Sequence, residues 1–283
     1  MKTSEKSLAK AIAWMGAALV SFLLMAISGR ELSRELGPAE IVGFRNMICL
    51  GSVLLILAWV GWDKGRTAKP VRHVIRNSIH FASQFGWFYA IAHIPIAEVF
   101  AIEFTSPIWT ALLAAVFLGE RLTGTRIGAI ALGFAGVLVV LRPGAAIIDP
   151  ASLAALAAAF GYACTYIFTK DLVGRDGPLV ILLWMNAVQL PLALVMAVPV
   201  WVTPSPALWP WIAVMGIVGL CSHYALSRAL AEGEATLVVP LDFLRLPLAA
   251  VVAWFMYGEK VGVNVFLGAT IIFAGVWLNL RKA

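Results

Sequence analysis

Phe134-Ala135-Gly136-Val137, with Leu141-Arg142 four residues on, recurs 139 residues later as Phe273-Ala274-Gly275-Val276, with Leu280-Arg281. Gly119-Glu120-Arg121 returns at the same offset as Gly258-Glu259-Lys260. At an offset of 140, Pro107 meets Pro247, Gly37-Pro38 meets Gly177-Pro178, and Phe44-Arg45-Asn46 meets Trp184-Met185-Asn186. One gap between Pro107 and Gly119 reconciles the two offsets. Matches that stay collinear through most of each half indicate an internal repeat. The expected division is 1–146 and 147–283.

What each repeat contains follows from hydropathy. Of 283 residues, 61% are hydrophobic and 13% charged, and the mean hydropathy is +0.91. Soluble chains run near 45–50% apolar and about 25% charged, so an ordinary soluble enzyme, a disordered chain and a disulfide scaffold are all excluded. Cys49, Cys164 and Cys221 lie in apolar runs and are expected to be reduced and buried. A helix needs about 20 apolar residues to cross a bilayer. Ten such segments are expected, at 11–30, 39–61, 72–92, 95–118, 124–141, 151–169, 178–202, 209–231, 235–257 and 262–280. The runs are too long, and too little alternating, for a membrane barrel. The fold class is therefore an all-α integral membrane protein of ten helices. A signal-peptide reading of the first segment fits poorly, because its apolar run is long and has an internal counterpart.

The net charge of +6 sits in loops, which speaks against nucleic acid as a partner. With the N-terminus in the cytoplasm, the inner segments hold fifteen basic residues, among them Lys64, Arg66, Lys69, Arg72 and Arg76. The outer ones hold four: Arg30, Arg34, Arg142 and Lys260. Positive charge favours the cytoplasmic side, so both termini are expected inside a bacterial cytoplasmic (inner) membrane. Five spans per repeat is an odd number, so the halves insert in opposite senses. That is the inverted repeat of many secondary transporters.

Two passages carry a resemblance. One is Trp87-Phe88-Tyr89-Ala90, then Ile94-Pro95-Ile96-Ala97-Glu98, Pro107 and Leu118-Gly119-Glu120-Arg121-Leu122. The other is Asp242-Phe243-Leu244-Arg245-Leu246-Pro247, then Tyr257-Gly258-Glu259. Over essentially the whole chain, this resembles the EamA-type group of the drug/metabolite transporter superfamily. The resemblance implies a proton-coupled or uncoupled carrier of small metabolites, often an exporter. The aromatic-rich composition looks most like the bacterial amino-acid exporters, including the YddG-like aromatic amino-acid exporters. Nucleosides or cationic drugs are the alternative cargo.

Charge inside a span is costly, about 2.5–3.5 kcal/mol at the centre of a helix, so it faces a cavity or a partner. Glu98, Glu103, Asp242 and Arg245 qualify, with Arg45 nearer the outer end of its span. Asp242 and Arg245, three apart, share a face. They form a local ion pair, or else Arg245 holds a substrate carboxylate while Asp242 or Glu103 holds an amine or a proton. His80, Gln84 and Phe88 make a polar-aromatic stripe with Trp87 flanking it. Their repeat mates include Tyr224 and His223. Interhelical hydrogen bonding competes with ligand contact as the reason for that stripe, and His80 is a candidate for proton coupling. Trp14, Asn46, Tyr162, Tyr166, Asn186 and Gln189 are further interior candidates, the two asparagines being more readily structural. Pro107 and Pro247 are expected inside helices as paired hinges or static kinks. Ala129, Gly133, Gly136, Gly268 and Gly275 are expected to let helix backbones approach closely. Trp59, Trp62, Trp201, Trp209, Trp211, Tyr257 and Trp277 read as interfacial anchors.

An intramembrane enzyme is the competing class. It lacks His-Glu-x-x-His, the Gly-x-Ser-x-Gly elbow and any metal spacing among His73, His80, His93 and His223. A structural or receptor membrane protein would need neither pocket nor inverted symmetry. No Walker motif is present and no cofactor or metal is expected. Ten helices can close a pathway alone, so a functional monomer is expected.

Overall fold

The computed structural model describes residues 5–94, 96–141, 150–257 and 263–281. Among them there is no strand. The α-helical segments are α1 (Glu5–Leu32), α2 (Pro38–Val60), α3 (Pro70–His93), α4 (Ile96–Glu103), α5 (Ser106–Phe117), α6 (Gly124–Leu141), α7 (Pro150–Ala197), α8 (Trp209–Glu232), α9 (Ala235–Val238), α10 (Arg245–Tyr257) and α11 (Val263–Arg281). Among the described residues, four helical stretches are long and apolar enough to cross a membrane: Leu8–Leu32, Pro38–Val60, Pro150–Val200 and Pro206–Glu232. The others are shorter, interrupted or, in α3, loaded with polar side chains.

Three features differ from ten continuous spans. The fourth expected span breaks at Phe104-Thr105 into α4 and α5. The ninth breaks into α9, a 3-10 stretch over Val239–Leu244, and α10. The sixth and seventh form one helical run, α7, bent at Gly177 (φ 78°, ψ 167°). That left-handed conformation suits glycine, and Pro178 after it supplies no N–H to continue the ladder. The two limbs of α7 lie on either side of this bend. Pro107 and Pro247 are also corrected. Pro107 falls in the first turn of α5, where an N–H would be unbonded anyway, and Pro247 is the third residue of α10, directly after the 3-10 stretch.

The two halves interlock. The pairs α1 with α8 and α3 with α7 are extensive, and so are α6 with α11 and α2 with α7. First helices of one repeat thus pack on third helices of the other. The crossing of α6 and α11 joins equivalent helices of the two halves. A Cβ on Gly136 would lie 2.7 Å from the Gly268 carbonyl oxygen, and one on Gly275 would lie 2.8 Å from that of Ala129. Gly136 and Gly275 are repeat mates, as are Ala129 and Gly268, so the contact is reciprocal. Only glycine permits that approach.

The outer surface is apolar. Leu55, Val116, Val195 and Phe255 are each more than 70% exposed, as suits a surface facing lipid tails. Trp59, Trp62, Trp201, Trp209 and Trp277 are exposed and Trp211 half-buried. The Tyr257 side chain lies outside the described residues, as do Glu98's, Pro95, Arg142, Gly258-Glu259-Lys260 and the expected repeat boundary at 146/147. All three cysteines are free, but only Cys49 is buried. Cys164 is half-buried and Cys221 exposed, which corrects the expectation for both.

Candidate functional site

The breaks in the fourth and ninth segments bring the interior charges together. Glu103 ends α4 and Arg245 opens α10. Arg245 Nη2 donates to Glu103 Oε1 at 2.6 Å and to Asp242 Oδ2 at 2.9 Å. Trp87 Nε1 donates to the other Glu103 oxygen at 2.7 Å. All three charged side chains are at most 6% exposed. The guanidinium carbon of Arg245 also stands 5.2–5.6 Å from the ring centroids of Phe22, Phe100 and Phe104. A cation over aromatic faces gains attraction when desolvated. The sequence offered a local Asp242–Arg245 pair as one possibility. That pair exists, and it is one arm of a bridge between the repeats.

A cavity of about 30 Å³ lies beside this bridge. Its walls include His80, Gln84, Trp87, Phe88, Glu103, Tyr166, His223 and Arg245 from the sequence-expected set. Asp242 reaches it through Arg245. Tyr224 does not line it. Tyr224 packs edge-on against Trp14 at 5.8 Å and beside the Val53, Leu57, Leu182 and Met185 cluster. Matching Gln84 to Tyr224 used an offset of 140; at an offset of 139 Gln84 meets His223 and Trp87 meets Leu226, and all four line the cavity. About 30 Å³ holds a water or two, against the several hundred Å³ of typical ligand pockets.

His80 and His223 meet edge to face, with centroids 4.9 Å apart. Tyr162 flanks His80 at 5.9 Å and Phe22 flanks His223 at 5.6 Å. Among the described residues no group of His, Cys, Asp and Glu could hold a metal ion.

Arg76 and Thr169 escaped the sequence reading, while Arg45 and Gln189 were named as interior candidates without their partners. Arg76 had been counted as a loop anchor, but it is buried and lines the cavity. It lies four residues before His80, so extending the 80-84-88 stripe one turn would have found it. Arg45 is wholly buried, and Gln189 and Thr169 bond the two arginines. Only the packing of α2, α3 and α7 reveals that.

Both ends are latched by carboxylates. On one side, Glu120 accepts the backbone N–H groups of Ala235 and Thr236, each at 2.9 Å, and the Thr236 hydroxyl at 2.7 Å. This gives the Glu120 carboxylate, misplaced for its own helix dipole, a role at the start of α9. Arg126 pairs with Glu234 nearby. Asp171 and Asp176, at the bend of α7, hold Arg72 and His73. On the other side, Glu35 binds Ser205, and Glu40 accepts the N–H of Val202. A second, larger hollow of about 1010 Å³ opens between α1, α10 and α11. Leu19, Leu244, Pro247 and Phe273 line it. Among the described residues its lining offers no charged or amide side chain, as suits lipid.

Two latched ends around a closed, charged centre, inside interlocked halves, define a membrane carrier. The chain belongs to the EamA-like transporter family, whose profile matches residues 9–142 and again 149–281. It is 26% identical to an S-adenosylmethionine uptake transporter of Rickettsia prowazekii, over 96% of this chain and 92% of that one. It is 28% identical to a riboflavin transporter of Rhizobium johnstonii, over 95% and 90%. It is 26% identical to a pseudopaline exporter of Pseudomonas aeruginosa, over 94% and 95%. A crystal structure 19% identical to this chain superimposes with a TM-score of 0.82, covering 95% of this chain and 96% of the other, which shows the shared fold. These relatives are named as transporters. None of the three is an aromatic amino-acid exporter.

Proposed function

We propose that this protein is a secondary carrier of the bacterial inner membrane. Its ten crossings are arranged as two inverted five-helix repeats dividing near residue 146, with both termini in the cytoplasm. It moves a small polar metabolite by alternating access and works as a monomer. The observation that carries this reading is the Arg245–Glu103 bridge. It joins the interrupted helices of opposite repeats beside a cavity too small for cargo. Interrupted helices at a repeat interface are where such carriers place their sites.

In this mechanism cargo binds between the bridge and the His80–His223 pair, against Trp87, Phe88 and Tyr166. The repeats then rock, with Pro107 and Pro247 at the flexible junctions. The latch at Glu120 and the contacts of Glu35 and Glu40 open by turns. S-adenosylmethionine, riboflavin and pseudopaline, the cargoes that the relatives' names give, are the first candidates. Free aromatic or large neutral amino acids rank behind them. The relatives' names include both uptake and export, and one cavity serves either direction, as the gradient sets. His80 and Glu103 are the candidates for proton coupling.

Counterflow in proteoliposomes tests the reading. Vesicles are loaded with S-adenosylmethionine, riboflavin or phenylalanine, and entry of the same labelled compound is followed with and without a pH gradient. Saturable exchange of one of them is expected, and a gradient effect establishes coupling. Failure across these and a nucleoside and cationic-drug panel, with folded protein in the bilayer, overturns it.

A further inference from the structure

Three guanidinium groups are buried in the middle of this chain, and one of them has acids. Arg245 is held by Glu103 and Asp242. Arg45 and Arg76 are 0% and 1% exposed. Among the described residues, no carboxylate lies within 4.0 Å of either. Three positive charges therefore stand with two negative ones.

The groups around Arg45 and Arg76 are neutral. Arg45 Nη2 donates to Asn46 Oδ1, Gln84 Oε1 and Gln189 Oε1, each at 2.9 Å. Arg76 donates through Nε to Thr169 Oγ1 at 3.0 Å and through Nη1 to Asn77 Oδ1 at 2.6 Å. A guanidinium only donates, so these bonds fix which way each amide points. Gln189 Nε2 must then donate, and it does so to the Asn77 carbonyl and to His80 Nδ1. His80 is thereby a neutral acceptor at Nδ1 that carries its proton on Nε2. What remains is a surplus of donors. Among the described residues, Arg45 Nε and Nη1, Asn46 Nδ2 and Asn77 Nδ2 are buried with no partner. Buried polar groups are ordinarily satisfied, and a buried charge needs a counter-charge. Water accepts hydrogen bonds but cancels no charge.

The geometry points to an oxyanion subsite at the Arg76 end of the cavity, which receives a carboxylate or phosphate group of the cargo. Arg76 and the two histidines line the cavity, while Arg45 stands behind Gln84 and adds the second positive charge. The guanidinium fork matches either oxyanion. This assignment rests on the carrier reading and specifies one end of the cargo. At the other end, Arg245 with two carboxylates leaves one negative charge in excess.

The test uses the purified full-length protein in detergent, with acetate as the carboxylate probe and inorganic phosphate as the second. The unfolding midpoint is followed against each anion, with chloride replaced at constant ionic strength. A saturable rise is expected in the wild type. Its half-saturation should shift at least about tenfold upward in Arg76→Gln, which loses a charge-assisted bidentate contact, and upward by less in Arg45→Gln, which removes only the second positive charge behind Gln84. Arg76→Lys should fall between, and Arg228→Gln, an arginine outside the cavity, should match the wild type. Acetate and phosphate responding differently identifies the preferred oxyanion. The absence of a saturable rise in the wild type overturns the subsite, whether or not the variants fold. So does an equal rise in the wild type and both glutamine variants. Counterflow separates the two readings. Exchange without the anion response removes the subsite and keeps the carrier, and an anion response with no exchange across the panel does the reverse.

Discussion

Arg245 of the second repeat and Glu103 of the first share a 2.6 Å charge-assisted hydrogen bond at the point where both of their helices are broken. A helix break frees backbone groups and is tolerated in a membrane where protein or a cavity surrounds it. The same breaks aim two side chains at each other across the repeat interface. The bridge is therefore both the seam between the halves and a wall of the cavity. Under the proposed mechanism, cargo that competes for either partner would loosen the seam and so couple binding to rocking.

Arg245→Ala should abolish transport and lower stability by about 3–5 kcal/mol, because it strands two buried carboxylates. Glu103→Gln should also abolish transport, at a smaller cost in stability, since Arg245 keeps Asp242. Trp87→Phe removes one N–H donor and should cost about 1–3 kcal/mol through the unsatisfied carboxylate oxygen. Flux by counterflow and unfolding midpoints check all three. Wild-type flux in Glu103→Gln and Arg245→Ala together would remove the bridge from the mechanism.

Much of this arrangement was legible in the sequence. The repeat motifs at 134–142 and 273–281 gave the halves, and Ala129, Gly136, Gly268 and Gly275 lie at the predicted close crossing. Glu103, Asp242 and Arg245 stood out because charge in an apolar run demands a partner. The breaks in the fourth and ninth segments did not stand out. Hydropathy averages over a window, and Phe104-Thr105 and Val239–Leu244 remain apolar enough to read as continuous. Arg76 was lost for the opposite reason. It lies near a basic loop, and charge counting assigns every such arginine to the surface. Arg45 needs Gln84 and Gln189 from two other helices, a juxtaposition that no local pattern encodes.

The α6–α11 crossing predicts a symmetric pair of effects. Alanine at Gly136 or Gly275 places a methyl within 3 Å of a backbone carbonyl that cannot turn away. Each substitution should lower stability by about 1–3 kcal/mol, the usual cost of overpacking. Their effects should be similar, because the contact is reciprocal, and the double variant should lose less than the sum, since one separation of the helices relieves both clashes. Unfolding midpoints of the two single variants and the double variant decide it. Strict additivity would show that the two contacts yield separately.

Glu120 holds the start of α9 through three hydrogen bonds. Glu120→Ala should cost about 0.5–2 kcal/mol, as for loss of a helix cap, while leaving the central cavity intact. Its larger effect should be on the resting conformation. A cysteine placed at Ala235 in a Cys221→Ser background should react faster with a membrane-impermeant maleimide when Glu120 is alanine. Unchanged labelling would mean that the segment stays closed without the latch.

Glu35 gives the opposite end a dependence on pH. Its carboxylate accepts the Ser205 backbone N–H at 3.0 Å and the Ser205 hydroxyl at 2.8 Å, and those bonds hold its pKa below the ordinary value of 4.5. A carboxyl group whose pKa is lowered by a contact favours the state that contains the contact, above its ordinary pKa. That preference is lost as pH falls through the lowered value. The Glu35–Ser205 contact should therefore be fully present from about pH 5 upward and disappear in more acid solution. Glu35 is surface-exposed, so the effect is local, best read by maleimide labelling of a cysteine at Val202 in the Cys221→Ser background. Wild-type labelling should rise as pH falls below about 4.5, once corrected for the reagent's own pH response with a distant exposed cysteine. In Glu35→Ala the corrected labelling should be high at every pH. A corrected wild-type profile flat to pH 3, or one matching Glu35→Ala throughout, would show that Glu40 alone closes that side.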